Sequence, residues 1–214
     1  EKGGYNMVFC DFYYTDGDKM LKENINTDDN LDAEHLIYQF CATIKYSCLW
    51  RMVVKRDLFS NDIIYPEAHM IEDRTLLIQL LYYCSNKIGW CHHCLYYYLS
   101  RPDSIVGNRS LENTLKRYYD VMSNIRIIID FIQSKNIPSK EACIINCKLY
   151  PRTYLSSLTF KKQYYQLWKD TYPEIEGHIL CNHDVPVVRR MRYIATKLHV
   201  FSTLKRIKDI IHVG

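Results

Sequence analysis

A chain of 214 residues that is 48% hydrophobic and 24% charged can bury one sizeable core, or one core with an appended helical subdomain. Only seven glycines are present, and neither GxGxxG nor GxxxxGK(S/T) occurs, which argues against a dinucleotide-binding turn or a phosphate loop. The net charge of +4 is uneven: residues 186–214 hold seven cations and one anion, a net +6, so residues 1–185 carry −2.

In chain order, residues 5–14 read as a strand, followed by a polar loop at Thr15-Asp16-Gly17-Asp18 and a polar stretch to Asn30. Asp29 or Asn30 can cap a helix whose apolar face is Leu36, Ile37, Phe40, Cys41 and Ile44. An apolar run from Leu49 to Val54 leads to Lys55-Arg56-Asp57-Leu58-Phe59, and a short strand is expected over Asp62–Tyr65, ending at Pro66. A helix follows Glu72-Asp73 with Leu77, Leu80, Leu81 and Cys84 on one face. Residues 88–99, IGWCHHCLYYYL, read as an aromatic-rich strand. Beyond Gly107 the pattern turns helical. Ser110 caps a long helix, Pro138-Ser139 starts another, and Pro151 separates a third that reaches Trp168. A loop through Pro173 and Gly177 then precedes a last helix over Val187–Ile211. These elements give a helix-rich α/β chain, with a mixed first part over residues 1–106 and a helical part with a basic terminal helix over residues 107–214.

Three constellations can carry chemistry. Glu72-Asp73 places two carboxylates in a first helical turn, where acidic groups offset the helix dipole and where one could equally serve as a general base facing a cleft. Cys91-His92-His93-Cys94 has metal-ligand residue types, but in a regular strand His92 and Cys94 face one side and Cys91 and His93 the other, so no metal is expected there. The terminal segment sets Val188, Met191, Ile194, Ala195, Leu198, Phe201 and Leu204 among its cations, which fits either an anionic membrane surface or a helix packed on the core with a solvated basic face. The nine cysteines, an odd number largely within apolar segments, read as reduced, buried thiols of a cytoplasmic protein. No apolar run reaches the ~18 residues of a spanning helix.

The stretch from Leu49 to Ser104 is more specific than its parts. Trp50, Lys55-Arg56-Asp57-Leu58-Phe59, Ile64-Tyr65-Pro66-Glu67, Glu72-Asp73, Leu95-Tyr96-Tyr97-Tyr98 and Ser104-Ile105 together resemble the acceptor-side region of bacterial family 2 glycosyltransferases of the GT-A fold. The opening YNMVFCDFYYTDG is similar to the strand that follows the family's metal-binding DxD segment. The resemblance implies a partial GT-A-like mixed sheet and an inverting transfer from a nucleotide-sugar to a hydroxyl acceptor, saccharide or lipid-linked, in cell-surface polysaccharide synthesis. It implies Asp73 as the base, Glu72 orienting it or contacting the acceptor, and Trp50 lining the acceptor pocket. Lys55 and Arg56 face the leaving diphosphate or solvent, and His69 joins the substrate-binding set. A divalent metal (Mn or Mg) is expected in a full-length enzyme. Its DxD half is not found here, and Asp16/Asp18 and Asp28/Asp29 follow the strand rather than precede it. The expectation is therefore a fragment that is inactive alone and holds no cofactor. A homodimer could complete its truncated sheet, and peripheral attachment at the inner membrane face would run through residues 187–211. The competing reading is a stand-alone basic interaction or nucleic-acid-binding module. No nucleic-acid motif is present and the body outside the tail is slightly acidic, so nucleic acid is not expected as a partner.

Overall fold

Met7–Thr15 forms β1, the central strand, with partners on both edges and its middle residues, Phe9 to Phe12, buried. The computed structural model describes residues 3–17, 19–23, 32–43, 47–101, 110–181, 183, 185–200 and 203. Along one edge of β1 runs β4 (Ile88–Leu99), parallel to it for its whole length. The other edge is shared by two short antiparallel strands: β3 (Met52–Val54) pairs with Met7–Phe9, and β2 (Met20–Glu23) pairs with Phe12–Thr15. The result is a mixed four-stranded sheet in a helix-rich α/β chain. Gly17, at φ +103, makes the β1–β2 turn, and Asp16 Oδ1 accepts the Lys19 N–H at 2.8 Å to close it.

The chain divides into two compact units, Glu1–Ser110 and Leu111–Gly214. In the first, α1 (Ala33–Ala42) is capped by Asp32, whose carboxylate accepts the Glu34 and His35 N–H groups, a cap worth about 1 kcal/mol. Asp29 and Asn30 lie outside the described residues. Helix α2 (Glu72–Tyr83) buries Leu77, Ile78, Leu80 and Leu81 completely. Asp62–Tyr65, expected as a strand, is an extended loop instead. Its backbone pairs with a side chain: the Gln79 amide accepts the Ile64 N–H at 2.8 Å and donates to the Ile64 carbonyl at 2.9 Å.

In the second unit, α3 (Leu111–Ser134) and α4 (Lys140–Leu155) are joined by a short connection, as neighbouring helices in bundles are. Pro151, expected to separate two helices, lies inside α4, and the next helix, α5, begins only at Lys162 and ends at Asp170. Where a loop was expected after Pro173, a 3₁₀ turn (Pro173–Ile175) runs into α6 (Glu176–Cys181). The last described helix, α7, spans Val187–Lys197. It does not continue unbroken toward Ile211, because His199 adopts φ +59 and a new turn starts from its carbonyl. Residues 204–214 lie outside the described ones.

The core of this unit gathers on Trp168, which stacks with Tyr165 and Tyr193 and lies under the Arg152 guanidinium. Arg152 is 1% exposed and donates to the carbonyls of Thr171 at 2.7 Å, Tyr172 at 3.1 Å and Lys169 at 3.3 Å, closing the end of α5.

Candidate active site

The start of α2 is set by an unusual backbone. Ile71, the residue before the helix, holds φ +60, a left-handed conformation in which a β-branched side chain is strained by roughly 1–2 kcal/mol. Its carbonyl accepts both the N–H and the hydroxyl of Thr75, each at 3.0 Å, which fixes the sharp entry. Glu72 and Asp73 therefore lead the helix, where its N-terminal N–H groups favour negative charge. The Asp73 carboxylate reaches across to a second element and accepts the Leu49 N–H at 3.3 Å. That element is the 3₁₀ turn Leu49–Arg51, so the carboxylate and Trp50 share one neighbourhood.

Partial burial raises the Asp73 carboxyl above the usual carboxylate range, with the Leu49 N–H pulling the other way. Cys48 lies close by. Its thiol is pushed up to about 11, mainly by burial and then by the Asp73 charge, while Arg51 acts in the opposite sense. A thiolate beside this carboxylate is thus suppressed, and the negative charge of the site rests on Asp73 and Glu72.

The same turn carries Trp50 into a cluster of rings. The Trp50 indole lies over Tyr96 (centroids 4.3 Å apart, planes at 24°) and Tyr98 (5.5 Å, 28°), and meets Phe12 edge-on at 4.9 Å. Tyr96 and Tyr98 are two apart on β4 and so share a face. The parallel register sets them beside Phe12 and Tyr14, and Tyr14 stacks with Tyr98 at 5.6 Å. Tyr13 and Tyr97, one step along each strand, pair at 5.1 Å. Tyr96 and Tyr98 remain more than a third exposed.

Arg51 anchors the turn that carries Trp50. It is fully buried in the gap between β3 and β2 on the edge of β1, and its Nη2 donates to the Cys10 carbonyl at 2.8 Å. Its guanidinium lies 4.9 Å from the Trp90 ring and 5.5 Å from that of Phe12. Trp90 in turn donates its Nε1–H to the buried Asp11 carboxylate at 2.9 Å. The rings thus rest on a polar scaffold held within the sheet.

Of the residues that the sequence nominates, Asp73 follows Glu72 at the start of α2 and is tied, through its bond to Leu49, to the turn that holds Trp50. Lys55, Arg56 and His69 are exposed, and none is joined to Asp73 by a hydrogen bond or ion pair among the described residues. Phe12, Cys48 and Arg51 belong to the surroundings of this turn although the sequence did not nominate them as site residues, whereas Tyr96 and Tyr98 lie in the Leu95-Tyr96-Tyr97-Tyr98 stretch that the sequence pairs with the Trp50 segment as the wall of a cleft at Asp73. Arg51 and Asp11 had a signal: each is a lone charge in an apolar run, and such charges are buried only with partners. The simple facing expected for Cys91-His92-His93-Cys94 needs correcting. β4 bulges there, with Cys91 opposite Cys10 but Cys94 opposite Asp11, and His92 and His93 are exposed. Among the described residues no group of three or more His, Cys, Asp or Glu is arranged to hold a metal ion.

No family model, curated protein or solved structure matches the chain. Among the described residues, no helix is long and apolar enough to cross a membrane.

Proposed function

We propose that the first unit supplies the acceptor side of an inverting glycosyl transfer, in which a sugar moves from a nucleotide-sugar to a saccharide hydroxyl. One observation carries the reading. A half-buried carboxylate of raised pKa, Asp73, is tied through Leu49 to the turn that lays Trp50 over Tyr96 and Tyr98. The faces and edges of aromatic rings pack well on the C–H faces of a pyranose, and tyrosine hydroxyls at the rim can bond its hydroxyls. A sugar lying there would bring a hydroxyl toward Asp73. In the transfer, the Asp73 carboxylate takes the acceptor hydroxyl's proton as its oxygen bonds the anomeric carbon. The bond from that carbon to the diphosphate breaks, and the nucleoside diphosphate leaves with the electron pair. Desolvation makes the carboxylate a stronger base than one in water, which is what this step needs. Glu72, beside it on the helix, is suited to holding a neighbouring acceptor hydroxyl.

The test separates acceptor binding from turnover. Glycan-array screening of the chain, followed by titration of the best ligands, is expected to find saccharides whose binding drops at least tenfold in Trp50→Ala and Tyr96→Ala. Failure to bind any glycan, or binding indifferent to both substitutions, overturns the acceptor reading. In the protein as its gene encodes it, Asp73→Asn is expected to abolish transfer while leaving acceptor affinity within a few-fold.

A further inference from the structure

Helix α7 is inside out. Helices packed on a core bury their apolar stripe, as α3 does with Val121, Ile125, Ile128, Ile129 and Ile132, each at most 6% exposed. In α7 the buried positions are Tyr193 and Thr196. Tyr193 stacks on Trp168 at 5.5 Å, and Arg189 donates to the Asn146 carboxamide and, at 2.7 Å, to the Asn146 backbone carbonyl. The apolar residues look away: Val187 is 62% exposed, Val188 80%, Met191 61%, Ile194 36% and Leu198, at the C-cap, 66%. At about 100° per residue, these five fall within one arc of roughly 120° centred opposite Tyr193 and Thr196. On either border of that arc are cations, the half-buried Arg190 with Lys197 on one side and Arg192 on the other; Lys197 is also tied to Glu176 at 3.5 Å and to the Tyr193 hydroxyl at 3.2 Å, and the helix itself contains no acidic residue.

We infer that this outward face of α7 is a docking surface for an anionic lipid bilayer. The inference is independent of the glycosyl-transfer reading, which rests on the other unit. An apolar arc bordered on both sides by long cationic side chains is the arrangement of a helix lying in the plane of a membrane interface. There the apolar side chains enter the acyl boundary and the cations reach lipid phosphates. The charge argues for lipid over a second copy of the chain, since two such faces would bring like charges together. Not every cation of the helix faces the arc. Arg189 faces inward to Asn146 and serves the fold, whereas Arg190 and Arg192 stand at the borders of the arc.

Co-sedimentation of the chain with phosphatidylcholine vesicles, with and without phosphatidylglycerol, tests this. Binding is expected only with phosphatidylglycerol and is expected to weaken as salt rises. At about fivefold in affinity per cation near an anionic surface, Arg190→Gln with Arg192→Gln should weaken it roughly 25-fold. Met191→Asn with Leu198→Asn should weaken it at least tenfold, with thermal unfolding unchanged because both residues are exposed. If either double variant unfolds, an environment-sensitive fluorophore on Met191→Cys, introduced together with Cys181→Ser to remove the exposed native thiol, reads the same contact and is expected to shift to the blue on anionic vesicles alone. Three results overturn the inference: no binding to anionic vesicles at low salt, binding indifferent to loss of the apolar residues, or a dimer by light scattering that the Met191→Asn, Leu198→Asn variant dissolves.

Discussion

Arg152→Met removes the guanidinium that holds the second unit together, and the structure allows its cost to be worked out. The side chain gives charge-assisted hydrogen bonds to the carbonyls of Thr171, Tyr172 and Lys169, touches Glu176 Oε1 at 3.5 Å, and covers the face of Trp168 at 4.9 Å. Bonds to charged groups are worth roughly 1.5–3 kcal/mol each, but the three share one donor fork and do not add. Against them stands the cost of burying the cation, which is why desolvation lowers the Arg152 pKa despite the nearby Glu176. Met offsets part of the loss by filling the space. It leaves the carbonyls at the end of α5 without a donor, at about 1–3 kcal/mol for each that water cannot reach. A net loss of about 4 kcal/mol follows, which is a large share of the ~5–15 kcal/mol that holds a domain. At about 5 °C per kcal/mol for a unit of roughly a hundred residues, the midpoint should fall by about 20 °C. Hydrogen exchange resolved to α4, α5 and α6 assigns the loss to this unit, where protection should drop, while amides of α2 and β1 keep theirs. Arg152→Lys, which keeps the charge but loses the fork, should recover less than half. A midpoint within 5 °C of the parent for Arg152→Met would refute the reasoning and leave Trp168 packing alone as the organiser of the unit.

Asp73→Asn is expected to cut transfer by roughly 10²–10⁴ in the active enzyme, and the parent's rate should fall on acidification at a pH above the usual carboxylate range. The same shift acts on stability. The folded chain holds the Asp73 proton more tightly than the unfolded chain, so stability falls as pH rises from the unfolded carboxylate value through the raised native one. Urea unfolding across that window should show this slope in the parent and lose its Asp73 part in Asp73→Asn. Gln79→Leu frees the Ile64 backbone and should cost about 2–3 kcal/mol, with faster proteolysis between residues 61 and 70; a loss under 0.5 kcal/mol would show that the clamp is idle. Cys48, its thiol raised to about 11, should resist iodoacetamide at neutral pH while exposed Cys181 reacts, a contrast read by peptide mass spectrometry and erased by urea.

How much of this was legible in the sequence depended on how local the deciding interaction is. The positions of α2, β4 and α3 followed from apolar periodicity and from the residues that open them. β2 was missed because four residues, MLKE, carry no strand pattern and exist only as a partner for β1. Asp62–Tyr65 has strand-like residues, but the Gln79 side chain, not another strand, satisfies Ile64. Pro151 looked like a boundary because proline lacks the N–H that a helix interior uses, yet α4 carries it within a run of buried residues on both sides. The candidate site divides along the same line. Asp73 and Trp50 stand out within one continuous stretch of sequence. The rings around Trp50 depend on the parallel pairing of two strands some eighty residues apart, and on the irregularity in that pairing. In an even ladder that starts from Cys10 opposite Cys91, Phe12 would sit beside His93. The bulge in β4 inserts extra residues between Cys91 and Tyr96, so Phe12 meets Tyr96 and Tyr14 meets Tyr98. The unusual Cys-His-His-Cys run thus has a structural role that its residue types do not announce. It takes up the slack that brings Tyr96 and Tyr98 level with Phe12 and Tyr14, where Trp50 lies over both tyrosines.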